Sequence, residues 1–175
     1  DLLIFSNDPD ENPQVVPVIL VVTSGPPPEN FGIVANALDN NIHVINVNNN
    51  TTIGPLLSGN VGSGYLLDPV ITPDGNKALI TSFSEQRVYF VDIANAYNLS
   101  VSGFVDIGFP AEDIALTPDG AYAIVTDGGG STKIAVINVG AMSLIQTLDV
   151  APKQVIAVDI APNGTVLVAD YTNNQ

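Results

Sequence analysis

The side chains able to do chemistry in this sequence are few, and most are carboxylates. Eighteen Asp and Glu stand against four bases, Lys77, Arg87, Lys133 and Lys153, for a formal net charge of −14. Asp68 and Asp113 stand out by spacing, because each lies four residues ahead of a Thr-Pro-Asp-Gly tetrad. Carboxylates that converge suit a hard cation such as Ca²⁺, which prefers oxygen ligands, and such an ion can polarise a carbonyl or activate water. Turn chemistry explains the same recurrence, since Asp bonds its own backbone in turns. Both explanations stand at this point.

Other chemistries are closed off or unsupported. Four scattered bases cannot neutralise a phosphate backbone, which excludes nucleic-acid binding, and the same shortage disfavours anionic lipid. The absence of cysteine rules out disulfides, thiolate metal sites and cysteine nucleophiles. The single histidine, His43, would have to serve any Ser-His-Asp triad within this chain, yet it sits inside an apolar strand-like segment and reads as a packed or edge side chain. The run Asp127-Gly128-Gly129-Gly130-Ser131-Thr132-Lys133 lacks phosphate-loop spacing and precedes a strand, so it reads as a flexible hairpin. The acidic run Asp8-Pro9-Asp10-Glu11-Asn12 lacks the spacing of an EF-hand. No catalytic residue is assigned, and no cofactor is expected beyond Ca²⁺ as a candidate at Asp68 and Asp113.

These residues are positioned by an internal repeat. Thr72-Pro73-Asp74-Gly75 recurs as Thr117-Pro118-Asp119-Gly120 after 45 residues, and Ala161-Pro162-Asn163-Gly164 follows after another 44. A second marker agrees: residues 42–47, 88–93 and 134–139 match at offsets of 46. Each unit reads as four short strands. In the second unit these are residues 68–72, 77–82, 87–93 and 101–107, with a tight turn after the first strand, where Pro presets φ and Gly accepts a positive φ. No segment keeps a 3.6-residue period, so almost no helix is expected. Segments 121–125 and 166–169 are apolar on both faces, as a sheet covered on both sides requires.

Four antiparallel strands per unit of 40–50 residues predict an all-β β-propeller with about three and a half four-stranded blades, part of a six- or seven-bladed ring. The repeats run approximately over 14–60, 61–108, 109–152 and an incomplete 153–175. The first is divergent, with its inner strand expected near residues 18–23; the other inner strands are expected near 68–72, 113–117 and 155–160. Residues 2–5 read as a stray strand, and residues are expected to precede Asp1. Asp127 and Asp170 are equivalent, with Ser82 and Asn36 in register; such residues end the second strand and accept hydrogen bonds from loop amides.

The Thr-Pro-Asp-Gly turns, the strands ending Ile80-Thr81-Ser82 and Val125-Thr126-Asp127, and the third strands resemble the YVTN-type propeller repeat of lactonase-like and surface propellers. The last unit, with Ala157-Val158-Asp159, Asn163-Gly164 and the run from Val168 to Asn174, also resembles an NHL repeat. The tryptophan and Gly-His pair of WD40 repeats are absent. The resemblance implies that loops between strands two and three and between blades share a ligand-binding face. That face comprises Asp39, Asn41, Glu85, Arg87, Asp68, Glu112, Asp113 and Lys153, with Asp68 and Asp113 as the candidate metal ligands.

The reading is a secreted or cell-surface propeller, extracellular or periplasmic, acting as a binding or structural module for a protein or glycan partner or for further blades of the same chain. The alternatives are a Ca²⁺-dependent lactonase-like hydrolase and a propeller subunit of a periplasmic redox enzyme. The longest apolar run, residues 18–22, is far below the roughly 20 residues of a membrane helix, so no membrane insertion is expected. Asn49, Asn50, Asn98 and Asn163 begin glycosylation sequons, which matter only in a glycosylating host.

Overall fold

The computed structural model describes residues 30–38, 40–58, 64–150 and 154–170. Every regular element in them is a β-strand. The first sheet contains β1 (Phe31–Asn36), β2 (Asn41–Asn46) and β3 (Thr51–Ser58). The second runs β4 (Leu66–Ile71), β5 (Lys77–Ser82), β6 (Arg87–Asp92) and β7 (Ser100–Asp106). The third repeats it with β8 (Ala111–Leu116), β9 (Tyr122–Asp127), β10 (Lys133–Asn138) and β11 (Ser143–Asp149), and β12 (Val155–Ile160) and β13 (Val166–Asp170) pair as a fourth. All pairings are antiparallel between sequence neighbours. Two complete four-stranded blades thus stand between two partial ones. The inner strands β4, β8 and β12 fall where the repeat places them, while the expected strands near residues 2–5 and 18–23 lie outside the described residues.

The doubly apolar strands are explained by where alternate side chains go. In β5, Ala78 and Ile80 enter a layer shared with Ile42 and Val44 of the first blade. Leu79, between them, points the other way, into a layer shared with Ile114, Ala123 and Val125 of the third. In β6, Tyr89 and Val91 join the first layer, and Val88 and Phe90 the second. The third blade repeats this: Ala123 and Val125 face backward, whereas Ile124 packs forward with Val155 and Val158. Side chains of a strand alternate between faces, so each blade supplies half of two cores. Each buried Val, Leu, Ile or Phe contributes about 1.5–3 kcal/mol. The last pair leaves Val166, Leu167 and Val168 of β13 between 42% and 61% exposed.

The turns explain the tetrads. Thr72 Oγ1 donates to Asp74 Oδ1 (2.6 Å) and accepts from Lys77 N (3.1 Å), while Asp74 Oδ1 also accepts from Asn76 N (3.1 Å). Thr117 and Asp119 reproduce this network with Ala121 and Tyr122. Gly75, Gly120 and Gly164 close the three turns at φ of 72°, 69° and 83°. In the last turn Ala161 has no hydroxyl to offer, and Asn163 Oδ1 alone accepts from Thr165 N (3.0 Å).

The turns also touch one another. A Cβ on Gly120 would lie 2.6 Å from Pro73 Cδ of the preceding blade, whereas one on Gly75 meets nothing within 4 Å. Gly75→Ala is therefore expected to cost only the left-handed strain, about 1–2 kcal/mol. Gly120→Ala adds a ring clash of about 1–3 kcal/mol. Urea unfolding of the two variants measures the gap.

Asp74 is held at about 2 by its bonds from Thr72 and Asn76. A depressed carboxyl favours the folded state above its unfolded value near 3.8 and loses that contribution as pH falls through about 2. The Asp74 carboxyl carbon is expected to titrate near pH 2 by NMR.

Candidate functional site

The inner strands enter their sheets through a repeated irregularity. Register slips by one residue between Leu66 and Pro69 in β4, between Ala111 and Ile114 in β8, and between Val155 and Ala157 in β12. A bulge of this kind bends the strand and re-aims side chains. Here it lies beside Asp68 and Asp113, and both turn toward the next blade.

Asp68 Oδ2 accepts from Ile114 N (3.2 Å), 46 residues away, and Asp113 Oδ2 accepts from Val158 N (2.7 Å), 45 residues away. Asp113 Oδ1 shares the Ile114 N–H (3.0 Å). Behind each carboxylate stands a buried threonine on the second strand. Thr81 Oγ1 accepts from Asp68 N (2.8 Å) and donates to Glu112 O of the next blade (2.8 Å), and Thr126 Oγ1 accepts from Asp113 N (3.4 Å). Each Asp–Thr pair thus fastens its own bulge and reaches across a joint. In the fourth unit the equivalent residues are Ala157 and Ala169, paired with each other.

Burial first, then the hydrogen bond with Asp113, pushes the Asp68 carboxyl up to about 7, against the pull of the Ile114 N–H. The charge of Asp113 pushes the same way. Glu112 is raised by burial and by that same charge. The structure therefore brings Asp68 beside Asp113, at the shared N–H of Ile114. The N–H groups of Ile114 and Val158 aim their positive ends at the two Asp carboxylates. Among the described residues, no group of three or more His, Cys, Asp or Glu is placed to hold a metal ion.

The other candidates serve separate contacts. Arg87 pairs with Asp106 on β7 (3.0 Å) and lies 4.0 Å from the centre of the Phe104 ring. Phe104 in turn meets Tyr89 edge-on at 6.1 Å. Glu85 takes the Tyr89 hydroxyl proton in a hydrogen bond and accepts weakly from Ser82 Oγ (3.4 Å). The Tyr89 hydroxyl is raised, by burial and then by Glu85. Asn41 opens β2 opposite Asn36, after Asn40 at a φ of 51°. His43 sits in β2 opposite Val34. Asp39 and Lys153 lie outside the described residues.

The Gly-rich hairpin forms, and its glycines answer a packing need. A Cβ on Gly128 would fall 2.1 Å from Glu112 Oε2 and 2.8 Å from Phe83, and one on Gly129 2.9 Å from Pro110. Asp127 accepts from Gly129 N (2.6 Å) and from the Ser131 hydroxyl, so it closes its own loop. Sequence reasoning missed the threonines. The available signal was that Thr81 and Thr126 each follow their Asp by 13 residues; in the last unit the turn is one residue shorter and the register sets Ala157 against Ala169.

No protein-family description matches the chain, and no curated protein matches it. Solved structures do. Hydrazine synthase from Kuenenia stuttgartiensis is similar at a TM-score of 0.71 and 19% identity, over 82% of this chain and 39% of that one. The β-propeller domain of Cps50 (Swd1) from Myceliophteria thermophila gives 0.66 at 12%, over 81% and 48%. The WD40 β-propeller domain of Doa1 gives 0.67 at 19%, over 83% and 45%. The chain spans less than half the length of each. At these identities the likeness shows the fold, a β-propeller, and nothing about repeat type.

Thr81→Val keeps the shape of a fully buried side chain and removes its bonds to Asp68 N and, across the joint, to Glu112 O. It is expected to cost about 1–3 kcal/mol, against less than about 0.5 kcal/mol for Ser102→Ala on the exposed outer strand. Thermal or urea unfolding of the two variants compares them.

Proposed function

We propose that this chain is a non-catalytic binding or structural propeller module of YVTN/NHL-like type, working in a secreted or cell-surface protein. The observation carrying the reading is the employment of its carboxylates. Asp68 and Asp113, the residues best spaced for chemistry, accept backbone N–H bonds from the following blades, and Asp127 is turned onto its own loop. A hydrolytic metal site needs carboxylates free to coordinate; here they hold blades. An acidic, asparagine-rich, cysteine-free chain is compatible with an extracytoplasmic setting.

Partners meet such a module at its loop face. Tyr65, 52% exposed at the entry to β4, offers an aromatic anchor there, of the kind favoured at protein and glycan contacts. The apolar residues left exposed on β13 support cover by a further blade.

The test is a hydrolysis assay of the chain against γ- and δ-lactones with Ca²⁺ or EDTA. The expected result is equal, background turnover in both conditions. Ca²⁺-dependent turnover that Asp113→Asn abolishes would establish the hydrolase instead.

A further inference from the structure

The four glycosylation sequons share one end of the molecule. Asn49 and Asn50 lie in the hairpin joining β2 to β3, Asn98 in the loop joining β6 to β7, and Asn163 in the turn joining β12 to β13. By the repeat, β2 and β6 are third strands and β12 is a first strand. Each blade is an antiparallel meander, so the connections after first and third strands emerge together. All four sequons therefore stand at the end that carries the Thr-Pro-Asp-Gly turns. The hairpins after second strands and the crossovers between blades form the opposite, loop end, and carry none.

Each site meets the demands of the reaction. N-glycosylation joins Asn Nδ2 to the anomeric carbon of an oligosaccharide, at a surface position. The new N–C bond replaces the bond from that carbon to a lipid-linked diphosphate, which leaves with the electron pair, while a base of the transferase takes one amide proton. The acceptor needs a free Nδ2 and a reachable hydroxyl two residues on. Asn49 and Thr51, Asn98 and Ser100, and Asn163 and Thr165 are all exposed. Asn49 Oδ1 accepts from Thr51 N (3.2 Å) and Thr51 Oγ1 (2.6 Å), and Asn163 Oδ1 accepts from Thr165 N (3.0 Å). These bonds occupy the carbonyl ends of the two amides. Asn98 spends its backbone N–H on Asn95 O (2.9 Å). Among the described residues, no hydrogen bond uses Nδ2 of Asn49, Asn98 or Asn163, so a sugar there displaces no contact. By contrast Asn30 and Asn76, at the same end, spend Nδ2 on Asn48 and Asp74 and begin no sequon.

We propose that the turn end is the glycan-bearing end: Asn98, Asn163 and one of Asn49 and Asn50 accept an N-linked oligosaccharide from a lipid-linked diphosphate donor. The inference rests on the extracytoplasmic reading, because such donors serve chains that enter or cross a membrane. Asn49 and Asn50 are adjacent, so a glycan on one blocks the other. The sites fall on the first, second and fourth blades, and bulky, solubilising groups there cover the turn end. The loop end, with the exposed Tyr65, stays bare for a partner.

The full chain, secreted from a eukaryotic host behind a cleavable leader, tests the sites. Enzymatic glycan release in heavy-oxygen water turns each modified Asn into a labelled Asp, which peptide mass mapping locates. Label is expected at Asn98, at Asn163 and at one of Asn49 and Asn50. Ser100→Ala and Thr165→Ala should each remove their own glycan and leave the others. Glycosylated and enzymatically stripped chains should melt at the same temperature, because the sugars replace no contact. Secreted chain unlabelled at any of the three sites, or a melting temperature several degrees lower with the glycans attached, would overturn the proposal. The supplied leader makes this result independent of where the protein works. Fractionation of the source organism, with the same mapping, tests that separately. Chain outside the cytoplasm with label at these asparagines supports both readings. Chain outside without label overturns the modification alone, and chain confined to the cytoplasm overturns the location and the natural modification with it.

Discussion

A propeller blade is a sheet with no exposed face to spare, and this requirement organises the chain. Every second side chain of β5, β6, β9 and β10 must find cover on one neighbour and the rest on the other. Apolar residues therefore run continuously along these strands, and the polar residues are pushed to turns, loops and strand ends. Leu79 and Ile80 are adjacent in sequence yet belong to different cores. Removing one blade would strip cover from two layers, so the stability of each unit is inseparable from that of the next.

The joints need more than hydrophobic cover, because apolar layers slide. Inner strands face the channel along one edge, and their N–H groups there lack a partner strand. Asp68 and Asp113 supply that partner from the preceding blade, with Thr81 and Thr126 fixing the bulges that aim them. Hydrogen bonds are directional where apolar contacts are not, so these set the register of one blade against another. The Ala157–Ala169 pair in the last unit has no side chain able to make such a tie.

Much of this was legible because turns are governed by local chemistry. The Thr-Pro-Asp-Gly tetrads specify their own hydrogen bonds, so the period, the strands and the inner-strand positions could be read from the chain. The meaning of Asp68 could not. Its recurrence at Asp113 fits a metal ligand or a turn residue equally well, and only the juxtaposition of units 45 residues apart shows what each carboxylate accepts. The same holds for Arg87, whose partner Asp106 lies across a strand pair, and for Gly128, whose lack of a side chain is explained by Glu112 of β8 and Phe83 of the turn after β5. Thr81 and Thr126 were readable in principle, since each follows its Asp by the same 13 residues.

The central claim is that these carboxylates hold blades together. Native-state hydrogen exchange at Val158 in Asp113→Ala tests it most directly. A lost hydrogen bond to a charged group amounts to about 1.5–3 kcal/mol, so Val158 protection should fall roughly tenfold to a hundredfold. The mid-sheet amide of Val136, in the blade that carries residue 113, should change little. Unchanged protection at Val158, in a variant that still folds, would contradict the account.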